Sequence, residues 1–196
     1  MDITLLPLPV KTRRLTLRRF VADDFPSYAD YHSRPEVYQY LYTCPPEGNA
    51  LQEQFDNTLG GAFDKDGDAL HLAVANESED IVGEVLLKMA SKEACQAEVG
   101  YIFHPGFAGR GYATEAVSAM IDLGFNDLGF HRIFARLDTQ NQGSVGVVER
   151  LGLRREAHLM ENDLFNGVWG DEYIYATLAR EWNREGRGDP QPSVVE

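Results

Sequence analysis

The stretch from His104 to Ala116, HPGFAGRGYATEA, holds the residues whose types and spacing best suit chemistry on a ligand. Gly106, Gly109 and Gly111 free the backbone to take positive φ and let a ligand come close. A helix starting behind them aims its first N–H groups and the positive end of its dipole into the turn. Such a turn binds an anion, and a pyrophosphate is its natural occupant. A nucleotide-hydrolase loop would need Lys and Ser or Thr directly after the last glycine, where Tyr112 and Ala113 stand. A dinucleotide fingerprint would need glycine in place of Thr114. The alternative is a structural turn without a ligand. Among the five histidines, none has metal-ligand spacing, and His104, beside Pro105, reads as structural although it could touch a phosphate or relay a proton. Cys44 and Cys95 lie far apart without a second ligand pair, so they read as free thiols and no metal is expected.

These residues need elements to position them. Ala97 to Phe103 alternates, with Glu98, Gly100 and Ile102 on one face and Val99, Tyr101 and Phe103 on the other, which predicts a strand entering the turn. Ala113, Ala116, Val117, Met120, Ile121 and Phe125 fall at helical spacing behind it. Arg13 to Phe20 predicts a first strand, and Asp23 or Asp24 the cap of a helix carrying Phe25, Tyr28 and Tyr31. His32 to Ala50 reads as two helical pieces broken by Pro45, Pro46 and Gly48, with Tyr38, Tyr40 and Tyr42 in a loop. A helix follows over Leu51 to Leu59, ended by Gly60 and Gly61 as C-cap. Leu70 to Ala75 and Ile81 to Met89 form a strand pair around a polar turn at 76–79. Arg132 to Asp138 is a strand that the right-handed crossover sets parallel to the central one. Asn141 caps a helix with Ser144, Val147, Val148 and Leu151 on one face and Gly152 as its stop. Closing strands cover Glu156 to Leu159 and Glu172 to Leu178, and the chain turns polar from Arg184.

At 196 residues the chain suits one domain with a substantial core. Its 18 basic and 31 acidic residues give a net charge of −13, which repels nucleic acid and favours cationic partners such as amines. No apolar run approaches the roughly 20 residues of a membrane span. The opening MDITLLPLPVKTRR puts its charges after the apolar stretch, the reverse of a secretory signal, so a cytoplasmic location without membrane attachment is expected.

The glycine turn resembles motif A of the GNAT superfamily, the acetyl-CoA-dependent N-acetyltransferases. That motif reads Gln or Arg, two residues, Gly, one residue, then Gly or Ala, and here Ala108, Gly109, Arg110, Gly111, Tyr112 and Ala113 stand in those places, Ala108 being the departure. The strand RLTLR followed by Asp23 or Asp24, the pair Asn141 and Ser144 ahead of RLGL, and NGVWGDEY at 166–173 are similar to the RimJ/RimL-like branch, over about Arg13 to Leu178. The resemblance implies a mixed α/β domain over residues 1–183 with a tail at 184–196. Its sheet would be central and mostly antiparallel, with a splayed parallel pair and flanking helices. The pantetheine arm would lie in the splay against the backbone of Tyr101, Ile102 and Phe103, with an N–H near Ile102 facing the thioester carbonyl. Ala108, Gly109, Arg110, Gly111, Tyr112, Ala113 and Thr114 would hold the pyrophosphate.

Glu98 matches a Glu common in relatives, which implies a base for the attacking amine. Its other reading is a structural carboxylate. Val148 stands where many relatives carry a Tyr for the leaving thiolate, so Ser144 takes that part and Asn141 orients the cofactor or a water. Alternatively both residues only satisfy the helix N-terminus. Tyr38, Tyr40 and Tyr42 would border the acceptor pocket or, equally, cover the core edge. The implied reaction carries acetyl from acetyl-CoA to a primary amine, either a protein N-terminus or a small amine, and many relatives look dimeric, which admits a homodimer. The rival is a non-catalytic acyl-CoA-binding sensor or assembly module, supported by Ala108 and Val148.

Overall fold

The computed structural model describes residues 5–182. In chain order the elements are β1 (Val10–Lys11), β2 (Leu15–Arg18), α1 (Phe25–His32), α2 (Pro35–Tyr38), α3 (Asn49–Leu59), β3 (Ala69–Asn76), β4 (Ile81–Ser91) and β5 (Gln96–Phe103). Then come α4 (Tyr112–Asn126), β6 (Arg132–Asp138), α5 (Gln142–Arg150), β7 (Arg154–Phe165), β8 (Val168–Leu178) and α6 (Ala179–Trp182). The strands form one sheet in the order β1-β2-β3-β4-β5-β6-β8-β7. Every neighbouring pair is antiparallel except β5 and β6.

Helices cover both faces of the sheet. Alternation in β3, β4 and β5 sends Leu72, Val74, Val85, Leu87 and Val99 to one side, where α4 lays down Ala116, Val117, Met120 and Ile121 and α5 adds Val145, Val147 and Val148. Each large side chain so buried contributes about 1.5–3 kcal/mol. On the other side Phe20, Tyr28, Tyr31, Leu51 and Phe55 from the α1 and α3 region pack on Ala73 and Ala75. The two faces of β5 divide as its alternation predicts. Tyr101 and Phe103 join the α4 side, and Ile102 joins the α1 side.

The strand predicted over Arg13 to Phe20 is β2 and is shorter than its pattern suggests: residues 13 and 14 form the turn of its hairpin with β1, which the Thr12 N–H closes on the Leu15 carbonyl at 2.9 Å. Asp24 stands at the N-cap position of α1 but makes no side-chain cap bond. Its carboxylate accepts from Arg18 Nη1 at 2.7 Å and Nη2 at 2.8 Å and from the Val21 N–H at 2.9 Å. Burial alone would raise the Asp24 pKa, yet the Arg18 bonds hold it below the usual range. Gly60 closes α3 in extended backbone, φ −159°, not in the left-handed cap its type suggests. The closing hairpin is longer than predicted: Asn166 and Gly167, φ 50° and 77°, make a two-residue turn, so Trp169 and Asp171 lie on β8 and not in a loop. The tail read from Arg184 lies outside the described residues.

Candidate active site

The parallel pair parts almost as soon as it forms. β5 and β6 are in register only at Gln96 with Arg132, Ala97 with Ile133 and Glu98 with Phe134. Each strand then stays bound to its other neighbour, β5 to β4 as far as Phe103 with Gly83 and β6 to β8 as far as Asp138 with Glu172. A gap therefore opens between residues 99–103 and 135–138. The His104 N–H donates to the Val82 carbonyl at 2.9 Å, and bonding pairs alternate along an antiparallel ladder, so Ile102 also turns its N–H to β4. Tyr101 and Phe103 are the residues whose N–H and C=O face the gap. The N–H groups turned to the gap near Ile102 are thus those of its two neighbours, a direction set by the ladder with β4 and not by the side-chain pattern.

At the mouth of the gap His104 Nδ1 accepts from the Gly106 N–H at 2.9 Å, which leaves the proton on Nε2 to bond Asp30 Oδ2 at 2.9 Å. His104 thus ties the turn to α1, as the structural reading had it. Gly109 and Gly111 take left-handed φ of 75° and 78°, and a Cβ at Gly109 would meet nothing within 4 Å. Residues 108–111 are exposed, and α4 begins directly behind them at Tyr112. Positive φ, open space and a helix N-terminus together make an anion cradle.

Asn141 caps α5 as predicted, its Oδ1 accepting from the Ser144 N–H at 3.0 Å. The Tyr101 hydroxyl crosses from β5 to donate to the Ser144 carbonyl at 3.1 Å, and burial pushes its pKa up to about 12. Val148 is fully buried in the core, which leaves no hydroxyl at that position. Arg150 reaches back from α5, its Nε donating to Thr114 Oγ1 at 3.3 Å.

Glu98 sits where the strands begin to part, on the face opposite α4. It is half-buried, and among the described residues its carboxylate has neither a hydrogen bond nor an ion pair. Burial raises its pKa from the ordinary carboxylate value, against the pull of Arg136 and Lys88. An unbonded carboxylate in that state is able to take a proton.

A family model described as an Acetyltransferase (GNAT) domain matches residues 14–154. This chain belongs to the GNAT acetyltransferase family. It is 31% identical over 175 residues to the Bacillus subtilis uncharacterized N-acetyltransferase YnaD, covering 89% of this chain and 99% of that protein. A GNAT-family acetyltransferase from Bacillus anthracis superimposes with a TM-score of 0.79 at 27% identity, over 88% of this chain and 99% of that one. The Vibrio cholerae spermidine N-acetyltransferase solved with CoA and spermine superimposes with a TM-score of 0.77 at 22% identity, over 88% and 99% of the two chains, a likeness of fold. The eight-stranded, mostly antiparallel sheet with one splayed parallel pair is thus a GNAT fold.

On the other face of this GNAT sheet the three tyrosines separate. Tyr38 is 5% exposed, and its hydroxyl lies 2.6 Å from His32 Nδ1 and within 3.3 Å of Gln54, which packs it at the core edge. Tyr40 is half-buried. Tyr42, at φ 52°, donates its hydroxyl to Asp138 Oδ2 at 2.6 Å, at the end of β6 that borders the gap. Burial and the Asp138 charge raise its pKa, which keeps the proton on the phenol.

Two groups escaped the sequence reading. Glu84, opposite Ile102 and 2% exposed, lies between His32 Nε2 at 3.4 Å and His71 Nδ1 at 3.8 Å. Burial would raise its pKa, but the two histidines bring it below the usual value. A single Glu inside the apolar run IVGEV was the available signal. Arg14 is the second, bonded to Glu115 and to the Arg110 carbonyl of the turn, and only its place in an alternating strand was legible. A cavity of about 610 Å³ lined by Pro7, Val10, Ser118 and Asp122 lies away from the gap. Among the described residues no helix is long and apolar enough to cross a membrane, and no group of three His, Cys, Asp or Glu side chains is placed to hold a metal.

Proposed function

We propose that this chain carries an acetyl group from acetyl-CoA to a primary amine, as a member of the RimJ/RimL-like branch. The observation that carries the proposal is the three-residue register of β5 and β6, which leaves two backbone edges parting beside an exposed glycine cradle. Unpaired N–H and C=O groups seek partners, and the amides of a pantetheine arm meet that need like an added strand. Tyr101 and Phe103 would pair with that arm, the turn from Ala108 to Ala113 with Thr114 would take the pyrophosphate, and Asn141 would orient the thioester end.

An amine attacks only after losing its proton, since an ammonium has no lone pair. Glu98 takes that proton first, directly or through a water; the neutral nitrogen then bonds the thioester carbonyl carbon, the carbon–sulfur bond breaks, and the second proton shed by the nitrogen ends on the leaving sulfur. An N–H facing the gap stabilises the developing oxyanion, and the Ser144 hydroxyl serves the leaving thiolate. The acidic balance of 31 to 18 favours a small cationic amine over a ribosome-bound N-terminus, and the spermidine acetyltransferase that shares this fold points the same way.

The test is release of free CoA thiol from acetyl-CoA over a panel of polyamines, other small amines and N-terminal peptides. The expected result is acceptor-dependent release that falls about 100-fold or more in Glu98→Gln and also falls in Ser144→Ala. Binding of CoA with no release against any amine would support the sensor reading instead.

A further inference from the structure

Arg14 is 97 residues from Gly111 in the chain, yet its guanidinium is committed to the glycine turn. Nε donates to Glu115 Oε2 at 2.8 Å, Nη2 lies 2.7 Å from the same oxygen, and Nη1 donates to the Arg110 carbonyl at 2.8 Å. The guanidinium also lies over the Tyr112 ring, 5.0 Å from its centroid. Glu115 Oε1 takes the Arg14 N–H at 2.8 Å and the Thr12 hydroxyl at 2.7 Å. Three of its five N–H groups are thus spent on the glycine turn and on the first turn of α4, which ties Arg14 to the shape and charge of that turn.

Two physical consequences follow from these bonds. A trans peptide is planar with its C=O and N–H opposed, so drawing the Arg110 carbonyl toward Arg14 points the Gly111 N–H the opposite way. Glu115 is also a full negative charge in the first turn of α4, and left unpaired it would repel an anion at the amides one turn earlier. Arg14 neutralises it in a fork that a lysine cannot reproduce.

We propose that Arg14 is the positioning residue of the diphosphate cradle, setting the 110–111 peptide and cancelling the Glu115 charge so that a diphosphate ester is held by backbone amides. The proposal rests on the acetyl-CoA reading above. It is tested by calorimetric titration of CoA into the full chain and into Arg14→Lys and Arg14→Ala, with the unliganded Tm of each recorded. Steady-state kinetics in acetyl-CoA and in the amine are measured beside it. The Kd for CoA and the KM for acetyl-CoA should rise about tenfold in Arg14→Lys and further in Arg14→Ala, because preorganisation is lost while the chain still folds. The kcat at saturating acetyl-CoA and the KM for the amine should stay within about twofold, a split that general damage to the fold would not give. Arg14→Lys keeps the positive charge beside Glu115 and serves if Arg14→Ala does not fold. An unchanged Kd for CoA in folded Arg14→Lys overturns the inference alone, as does a loss spread equally over both substrates. Wild-type protein that binds no CoA overturns the acetyl-CoA reading and the inference together.

Discussion

Glu98 meets two opposed demands, one from the fold and one from the chemistry. Its folded pKa lies above its unfolded value, so the folded state prefers the protonated form. At neutral pH the ionised carboxylate therefore subtracts stability, and Glu98→Gln is expected to raise Tm there, the gain shrinking as pH falls toward the ordinary carboxylate range. In the proposed reaction activity runs the other way, because a Glu98 base would work only when ionised. The acid limb of kcat/KM should be shifted upward from the ordinary Glu value and vanish in Glu98→Gln, with CoA affinity retained. A limb that persists unchanged in the variant assigns it to another group, and a Tm that falls at neutral pH makes Glu98 a structural carboxylate. The position of Glu98 was legible from alternation in a single strand. Its lack of a bonding partner was not, because that depends on where β4, β6 and β8 place Lys88, Arg136 and Glu172. The Glu84 group was hidden for the same reason, since His32 and His71 reach it from separate elements.

Among the elements, β5 is placed by its neighbour β4 at close range. A Cβ added to Gly83 would run into the Ile102 carbonyl oxygen and the Phe103 Cα, both backbone, so β5 itself would have to move. Gly83→Ala is expected to cost about 2 kcal/mol, in the range of core overpacking, and to weaken CoA binding by displacing the edge at Tyr101 and Phe103. Gly61→Ala, where a Cβ meets nothing within 4 Å, is the neutral control. Urea unfolding with calorimetric CoA titration checks both variants, and unaltered CoA affinity in Gly83→Ala would separate that edge from the ligand. Elements with strong periodicity were readable: α4 and β6 fall where Ala113 to Phe125 and Arg132 to Asp138 place them. The hairpin of β7 and β8 was not, because β7 is a mostly exposed edge strand whose RREAHLMENDLF lacks a buried face, and the register that starts at the turn of Asn166 and Gly167 shifts between Leu159 and Asp163 and again between Arg155 and Ala157. Side-chain alternation likewise disclosed the two faces of β5 but left the direction of its N–H groups to the ladder with β4.

For the whole molecule, the GNAT fold brings a backbone cradle, a parted strand pair and an unbonded carboxylate to one gap, while a net charge of −13 surrounds it with a field suited to cations. The order of strand, glycine turn, helix, strand and capped helix was legible in the chain because each part is local. The gap was not, since it arises only where two strands follow different neighbours. The central claim is that CoA lies along that gap, and amide hydrogen exchange with and without saturating CoA tests it most directly. The account predicts added protection at Tyr101, Phe103 and residues 109–113. Saturation of the protein with CoA that leaves those amides unchanged, or protects the cavity around Pro7 and Val10 instead, would contradict it.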